Sequence, residues 1–379
     1  MLPSYTQSCF SERTQVVLLS PDKEVGVDFP LLMRRRRLIL GALIACLAGT
    51  VLFSMLVGTV GPIGPGEPER VSFDDALRVI FRLPGERPDY YERVFWDVRI
   101  PRVLLAGLVG AALACAGTAM QAVFRNPMAD PFIVGVSTGA SLGAVTASLL
   151  GLAGIALIGS FISPAFAFAT ALVTVFIVYR LGTVGGKVYV DTLLLSGVAV
   201  AAFLGAIVSF MIYYARQEYH RLVFWLLGSL SLATWPAVAV LFVAVTVGAT
   251  VVFIFGRDLN ALLLGEETAH NLGADPERLK TDMLVVAAVM TAAAVAFTGV
   301  IGFIGLIVPH MVRLLVGADH RILVPSATVT GAVFLILADS AARTAVAPTE
   351  LPVGIITAMC GGPFFIYLLR RSRRGGERL

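Results

Sequence analysis

The sequence predicts an all-α membrane protein with about ten transmembrane helices. Of its 379 residues, 57% are hydrophobic and only 14% are charged, and the mean hydropathy is +0.85. This composition supplies too little polar surface for a soluble globule, and many apolar runs approach the roughly 20 residues that cross a bilayer. Basic residues cluster beside the ends of these runs, as the positive-inside rule expects. The net charge of +4 therefore indicates membrane topology and not a nucleic-acid partner.

The chain begins with a polar stretch, residues 1–33, which we expect to be a disordered cytoplasmic extension before a transmembrane domain at 34–379. An alternative is that Met33 is the true start, since MRRRR followed by an apolar helix is a natural beginning. Leu43–Cys46 also resembles a lipoprotein cleavage box. The apolar run continues to about residue 60, however, and this length favours a membrane-spanning helix.

Residues 61–98 are rich in proline and form a predicted loop, with an amphipathic patch at 72–83 that we expect on the membrane surface. The apolar run at 222–233 is too short to count as a span. Because the tail at 370–378 is strongly basic, both termini are predicted to be cytoplasmic, which requires an even number of crossings. After the first span, the predicted spans lie at 103–123, 132–150, 155–179, 192–214, 237–256, 283–300, 303–316, 322–341 and 352–369.

The most polar internal loop, Gly256–Asp282, falls on the cytoplasmic side between the sixth and seventh spans. Its apolar residues recur at helical spacing and are split by Gly265 and Gly273, which predicts two short helices joined by a tight turn, a hairpin at about 257–282. A solvated linker is the alternative, but a linker would not need the leucines at 262–264 and Leu272. We therefore expect a docking surface for a partner.

The stretch Gly299–Arg321 is not a plain membrane anchor. Three glycines and Pro309 interrupt its apolar sequence, which predicts a broken helix whose freed backbone groups need protein neighbours or an aqueous cavity. His310 lies within this stretch. A packing histidine is favoured there over a proton relay or a ligand-binding residue.

Three functional classes are considered for this chain: an ATP-driven transporter, a gradient-driven transporter or channel, and a membrane enzyme. Residues 182–187, GTVGGK, lack the glycine spacing and the hydroxyl of a phosphate-binding loop, so the chain does not hydrolyse ATP by itself. A gradient-driven transporter or channel would carry carboxylates deep in its spans, and Asp339 is the clearest acid in an apolar run. A membrane enzyme is least favoured, because the four cysteines are scattered and no metal-ligand or nucleophile arrangement is present.

Three arginines occupy positions that topology disfavours. Arg99 and Arg102 precede the second span on the outer side, and Arg343 lies at the outer end of the ninth. They would either pair with carboxylates on an external partner or extend to lipid headgroups. The residues alone leave both interpretations open.

Two features concern chain packing. Asn126-Pro127 and Asp130-Pro131 predict a rigid turn between the second and third spans. The third span carries glycines at 135, 139 and 143, a small-x-x-x-small pattern that predicts close packing on a neighbouring helix in preference to substrate contact.

Four motifs, in order along the chain, resemble the membrane permeases of the iron-siderophore, haem and cobalamin uptake family, the type II ABC importers. The resemblance covers about residues 37–371. The segments that carry it are RIPRVLLAGLVGAALACAGTAMQAVFRNPMADPFIVGVSTGAS, LLLGEETAHNLGAD, GFIGLIVPHMVRLLVGADHR and LADSAARTAVAPTELPVGIITAMCGGPFFIYLL.

The resemblance implies roles for particular residues. Coupling to the ATPase subunits would involve Gly265, Glu266, Ala269, Leu272 and Gly273, and docking of a substrate-binding protein would involve Arg99, Arg102 and Arg343. The translocation path and gate would include Asn126, Pro127, Met128 and Asp191. The segment at Asp191 departs from relatives, which commonly place small hydroxyl residues there.

The resemblance also implies a function: a non-catalytic permease in the inner membrane that imports an iron chelate, a ferric siderophore or haem. Cobalamin is the alternative cargo, and a gradient-driven secondary transporter is the rival class. Expected partners are a second copy of the chain, two cytoplasmic ATPase subunits and an extracytoplasmic substrate-binding protein. No cofactor or metal is expected in this chain, since ATP and Mg²⁺ would bind the ATPase subunits.

Overall fold

A computed structural model describes residues 29–57, 78–79, 92–152, 159–215, 218–346 and 349–374. These residues are almost entirely helical, apart from one two-stranded antiparallel hairpin, β1 (Thr183–Val184) and β2 (Lys187–Val188). The α-helices are α1 (Phe29–Leu56), α2 (Ile100–Val123), α3 (Val136–Leu149), α4 (Gly159–Gly182), α5 (Val190–Tyr214), α6 (Tyr219–Leu226), α7 (Trp235–Ile254), α8 (Gly256–Leu263), α9 (Glu266–Asn271), α10 (Pro276–Thr298), α11 (Ile304–Val316), α12 (His320–Thr344) and α13 (Val353–Arg374).

The helices agree with the predicted ten spans. Within the described residues, seven helices are long and apolar enough to cross a membrane, and three shorter apolar helices, α3, α11 and part of α13, bring the number to ten. The run at 222–233 contains only the end of α6 and irregular chain, so it is not a span, as predicted. Because an α-helix rises about 1.5 Å per residue, the 13 residues of α11 cover only part of a bilayer.

The chain enters the second span earlier than predicted. Residues 94–99 form a π-helical turn that runs directly into α2, so the end of the predicted 61–98 loop is helical. The amphipathic patch at 72–83 lies mostly outside the described residues. Residues 1–28 also lie outside them, and α1 begins at Phe29, within the predicted extension.

Helix α2 lies at the centre of the bundle, against α7, α10, α11 and α12. Glycine makes this position possible. A Cβ atom on Gly110 would overlap the backbone carbonyl of Gly331 in α12, and one on Gly117 would overlap that of Gly305 in α11. Small residues at such crossings let helix backbones approach closely, which is the main route to tight packing in a membrane.

The predicted close packing of the third span is confirmed. Helix α3 packs on α4, and a Cβ atom on Gly139 or Gly143 would overlap side-chain or backbone atoms of α4 at Thr170, Thr174 or Phe166. The hydroxyl of Thr170 also donates to the Gly139 carbonyl, at 2.7 Å. This pair of helices therefore depends on the absence of side chains at the glycine positions.

The stretch at 299–321 is broken, but not at proline. Helix α10 ends at Thr298, residues 299–303 are irregular, and Phe303 has a left-handed φ of 70°. Pro309 lies inside α11 without ending it. Proline cannot donate to the carbonyl four residues earlier, and Nε2 of Gln121 lies 3.5 Å from that Gly305 carbonyl and 3.1 Å from the Leu306 carbonyl. The neighbouring helix thus supplies a donor where Pro309 has none.

Candidate functional site

Two opposite ends of the bundle carry the polar residues singled out from the sequence. We call the end that holds β1–β2, α8 and α9 the hairpin face. We call the end that holds Arg99, Arg102 and Arg343 the arginine face.

The hairpin face has the two short helices that the sequence predicted. Gly265, with a φ of 115°, joins α8 to α9, and this left-handed backbone favours glycine. Ala269 is fully buried, whereas Leu264 and Leu272 are 69% and 67% exposed. Of the predicted coupling residues, Leu272 is therefore on the surface and Ala269 packs inward. Two exposed leucines in an otherwise polar hairpin offer apolar surface to a partner.

Glu266 connects this hairpin to the rest of the bundle. One of its carboxylate oxygens lies 3.3 Å from Nζ of Lys280 in α10, and the other lies 3.6 Å from Arg125, just after α2. Lys280 also pairs with Glu277 at 2.7 Å. The predicted coupling residue thus lies at a junction of three segments.

A second attachment joins α8 to α12. Nδ2 of Asn260 donates to Asp319, at 2.9 Å, and Oδ1 of Asn260 accepts from the His320 amide, also at 2.9 Å. Arg36 in α1 pairs with the same aspartate at 2.7 Å. Burial alone would raise the pKa of Asp319, but the hydrogen bonds from Asn260 and the Arg321 amide, with the charge of Arg36, hold it below its ordinary value.

The predicted path residues also lie at the hairpin face. Oδ1 of Asn126 accepts from the Met128 amide at 2.9 Å, and Oδ1 of Asp130 accepts from the Phe132 amide at 2.8 Å, which confirms the rigid turn. Pro127 lies between the first pair and is half-buried. Asp191 is exposed in the first turn of α5. The roles of these residues in a path or gate stay predictions.

The arginine face holds the three predicted arginines, two of which pair with one buried acid. Asp339 is 1% exposed and pairs with Arg102 at 2.9 Å and with Arg343 at 3.1 Å. Arg102 also pairs with Glu350 at 2.8 Å. Arg99 donates to the Met55 carbonyl at 2.7 Å. These arginines are mainly buried and bonded within the chain. Their role in docking a substrate-binding protein stays a prediction.

Several of these residues were not singled out from the sequence. The structure adds Lys280, Glu277, Arg125, Asn260, Asp319 and Glu350 to the two faces. One signal was available, because Glu277 and Lys280 are three residues apart at the start of an apolar helix and so share a face. The contacts with Arg125 and Glu350 cross long sequence separations and had no local signal.

Metal and disulfide chemistry find no support in the part of the chain that the structure describes. It contains no cluster of three or more histidine, cysteine or acidic residues that could hold a metal ion. Cys46, Cys115 and Cys360 are free, and Cys9 lies outside the described residues.

Comparisons with known proteins find related transport permeases. The model of the FecCD transport family matches residues 43–371. A cobalamin import system permease from Halobacterium salinarum is 50% identical over 78% of this chain and 79% of its own length. A hemin transport system permease from Yersinia pestis is 41% identical over 74% of this chain and 84% of its own.

A third relative and a solved structure extend the comparison. A probable iron chelatin transport permease from Helicobacter pylori is 39% identical over 74% of this chain and 83% of its own. The solved structure, described as an inward-facing conformation of a metal-chelate type ABC transporter, aligns with a TM-score of 0.75 at 28% identity, covering 88% of this chain and 99% of that one.

Proposed function

Because this chain belongs to the FecCD transport family, whose members matched here are ABC importer permeases, we propose that it carries an iron chelate, a ferric siderophore or haem, across the inner membrane. The observation that carries this proposal is the hairpin face. It presents exposed leucines on two short helices that are bonded to the ends of three spans. Such a surface suits a chain that must receive force from a separate ATPase.

The assembly that we infer has several subunits. The permease would pair with a second copy of itself, bind two ATPase subunits at the hairpin face and receive a loaded substrate-binding protein at the arginine face. The hairpin face would then be cytoplasmic, together with both termini. ATP and Mg²⁺ would be held by the ATPase subunits, and this chain would catalyse no reaction.

Docking at the arginine face needs a rearrangement. Arg102 already pairs with Glu350, whose side chain is 45% exposed, and with buried Asp339. An acidic residue of the binding protein would therefore have to take the place of Glu350, leaving Asp339 as the permanent partner of Arg102 and Arg343. Complementary charge of this kind contributes to orientation and association rate.

The cargo is proposed as a metal chelate, with iron as the first candidate, because the haem and iron-chelatin permeases are among the matched relatives. Cobalamin is a second candidate, favoured by the 50% identical relative that is named a cobalamin permease. Fold alone does not choose between these cargoes.

The test is ATP hydrolysis by the chain reconstituted with its ATPase subunits in lipid vesicles. Binding proteins loaded with haem, a ferric siderophore or cobalamin are added in turn, and empty binding proteins are the control. Stimulation by one loaded protein, with uptake of its chelate, is the expected result. Uptake that persists without any ATPase subunit would refute the proposal and favour a gradient-driven transporter.

A further inference from the structure

Lys280 is a buried cation that the proposed function does not yet explain. Its side chain is 2% exposed, in the second turn of α10. Its Nζ lies 2.7 Å from Glu277, 3.3 Å from Glu266 and 3.2 Å from the Val188 carbonyl. The ammonium therefore has three acceptors on three different segments, which matches its three donors.

The contact with Val188 fixes β2 to α10. While Lys280 donates to the Val188 carbonyl, Glu277 accepts from the Val188 amide at 2.8 Å. Both backbone groups of one strand residue are thus held by one turn of α10. Because β2 ends two residues before α5 begins, a shift of this strand moves the start of α5, where Asp191 lies.

The contact with Glu266 fixes α9 to the same cation. Glu266 also reaches Arg125, whose φ of 47° is left-handed and uncommon for a side chain larger than glycine. Arg125 directly precedes the Asn126–Met128 turn. Lys280 and Glu266 together therefore join α9 to the β-hairpin and to the end of α2.

Stability alone is a weak reason for this arrangement. Removing a lysine from water is costly, and well-packed apolar residues often replace buried ion pairs without loss of stability. A cation shared by three segments instead makes the position of each segment depend on the positions of the other two. When such a packed network has two arrangements, binding at one site favours one arrangement and so affects a second site.

We propose that Lys280 is the positioning residue that transmits movement of the α8–α9 hairpin to the β-hairpin and the start of α5. This inference rests on the proposed function, since the ATPase subunits supply the movement. In a variant without Lys280, the α8–α9 hairpin would still bind the ATPase through its exposed surface. Hydrolysis would continue, but the bundle would respond less to it.

The first test compares uptake per ATP hydrolysed in vesicles that hold the whole transporter. Lys280→Met is expected to retain the ATPase subunits and their hydrolysis but to lower uptake per ATP about tenfold, within the usual range of coupling energies. Lys280→Arg should restore much of the ratio. Arg278→Met is the matched control, because Arg278 lies in the same helix with its side chain 86% exposed, and its ratio should not change.

The second test needs no ATPase and separates failure of this inference from failure of the proposed function. Spin labels at Val184 and Leu264, both exposed, report the distance between the β-hairpin and the α8–α9 hairpin in a cysteine-free chain. The distance distribution should broaden in Lys280→Met and stay narrow in Arg278→Met.

Glu266→Gln provides a second variant should Lys280→Met fail to fold, because it weakens only one of the three contacts. It should broaden the distance distribution and lower uptake per ATP, each to a smaller extent. Unchanged distances and an unchanged uptake ratio in the folded variants would overturn the inference. If the native chain itself retains no ATPase subunit, the proposed function fails, while the distance measurement still decides whether Lys280 joins the two hairpins.

Discussion

Asp339 shows how strongly one side chain can depend on its neighbours in this protein. It lies in an apolar helix, is 1% exposed, and is paired with both Arg102 and Arg343. An isolated carboxylate there would be expensive, but two guanidinium groups compensate for its desolvation. In this structure the acid that the sequence made a candidate for ion coupling is a structural counter-ion.

Replacing Asp339 with asparagine should therefore destabilise the chain by about 3–5 kcal/mol, because two buried arginines lose their shared partner. Thermal unfolding in detergent measures the effect. Glu350→Gln is the matched control, since Glu350 is 45% exposed, and it should cost about 1 kcal/mol or less. Equal losses in the two variants would contradict a special role for the buried acid.

Asp130 should make stability depend on pH. Burial raises its pKa from 3.8 to about 6, against the lowering effect of the hydrogen bond from the Phe132 amide. Between these two values the folded chain holds a proton that the unfolded chain has lost. The contribution of Asp130 to the free energy of unfolding is therefore largest below about pH 4 and falls as pH rises through 6, by at most about 3 kcal/mol.

Asp130→Asn tests this assignment, because asparagine can still accept from the Phe132 amide but does not titrate. The difference in unfolding temperature between the native chain and the variant is measured from pH 4 to pH 7.5. The variant should gain relative to the native chain as pH rises. Parallel curves for the two proteins would show that Asp130 is not responsible.

At the level of single residues, the sequence indicated which residues are unusual but not which residues they contact. The three outer arginines were found from the positive-inside rule, because their charge contradicts it. The bonds of Arg99 to Met55 and of Arg102 to Asp339 and Glu350 could not be found, since hydrogen bonds across 44 to 248 residues leave no periodic trace. The pair of Arg343 with Asp339 is different, because the two residues are one helical turn apart. The contact of Lys280 with Val188 crosses 92 residues and had no local signal either, although its spacing from Glu277 was one.

Among the elements, α2 should tolerate little change. Two of its glycines allow direct contact with the backbones of α11 and α12. Dispersion and close approach, not hydrophobicity, hold helices together in lipid. Its sequence is accordingly rich in alanine and glycine, and its stability depends on the fit of these surfaces.

Gly110→Ala should destabilise the bundle by about 1–3 kcal/mol or more, because the added methyl group must push α12 away. Thermal unfolding and the yield of monodisperse protein report the loss. Gly49→Ala is the control: the same change in α1 meets no atom within 4 Å. A normal unfolding temperature for Gly110→Ala would mean that the two backbones are farther apart than described.

Helix boundaries were predicted correctly where a glycine ends the helix. They were missed where a contact with a neighbouring helix decides whether the helix continues. Gly265 and Gly299 require backbone angles that favour glycine and were correctly taken as breaks. Pro309 was also expected to interrupt its helix, yet α11 continues, because Gln121 on another helix donates near the carbonyl that proline leaves unpaired. Composition located the spans, but a tertiary contact explains why this helix continues past Pro309.

For the whole molecule, the two faces place different demands on the chain. The hairpin face exposes apolar surface, whereas the arginine face is already satisfied internally. In the proposed assembly, a binding protein with acidic residues would compete with Glu350 for Arg102. The free energy lost when the Arg102–Glu350 pair breaks is that of a partly exposed ion pair, which is small.

Glu350→Gln should strengthen binding of the loaded substrate-binding protein about two- to fivefold, the equivalent of one partly exposed ion pair. Titration of the chain in lipid nanodiscs gives the dissociation constant. Glu218→Gln removes the same charge from a residue that pairs with Arg221 instead, and it should leave affinity nearly unchanged. Weaker binding in Glu350→Gln would show that Glu350 itself contacts the partner.

The network around Lys280 also restricts which amino-acid replacements this protein can accept during evolution. A change at Glu266 or Glu277 leaves the buried Lys280 with fewer partners, and a change at Lys280 leaves two partly exposed carboxylates without their shared cation. The cost of each change therefore depends on what the other two positions hold. Such positions are expected to drift together, through paired replacements. Leu264 and Leu272 face outward and lie outside this network, so in the proposed assembly their replacements would depend on the surface of the ATPase subunit.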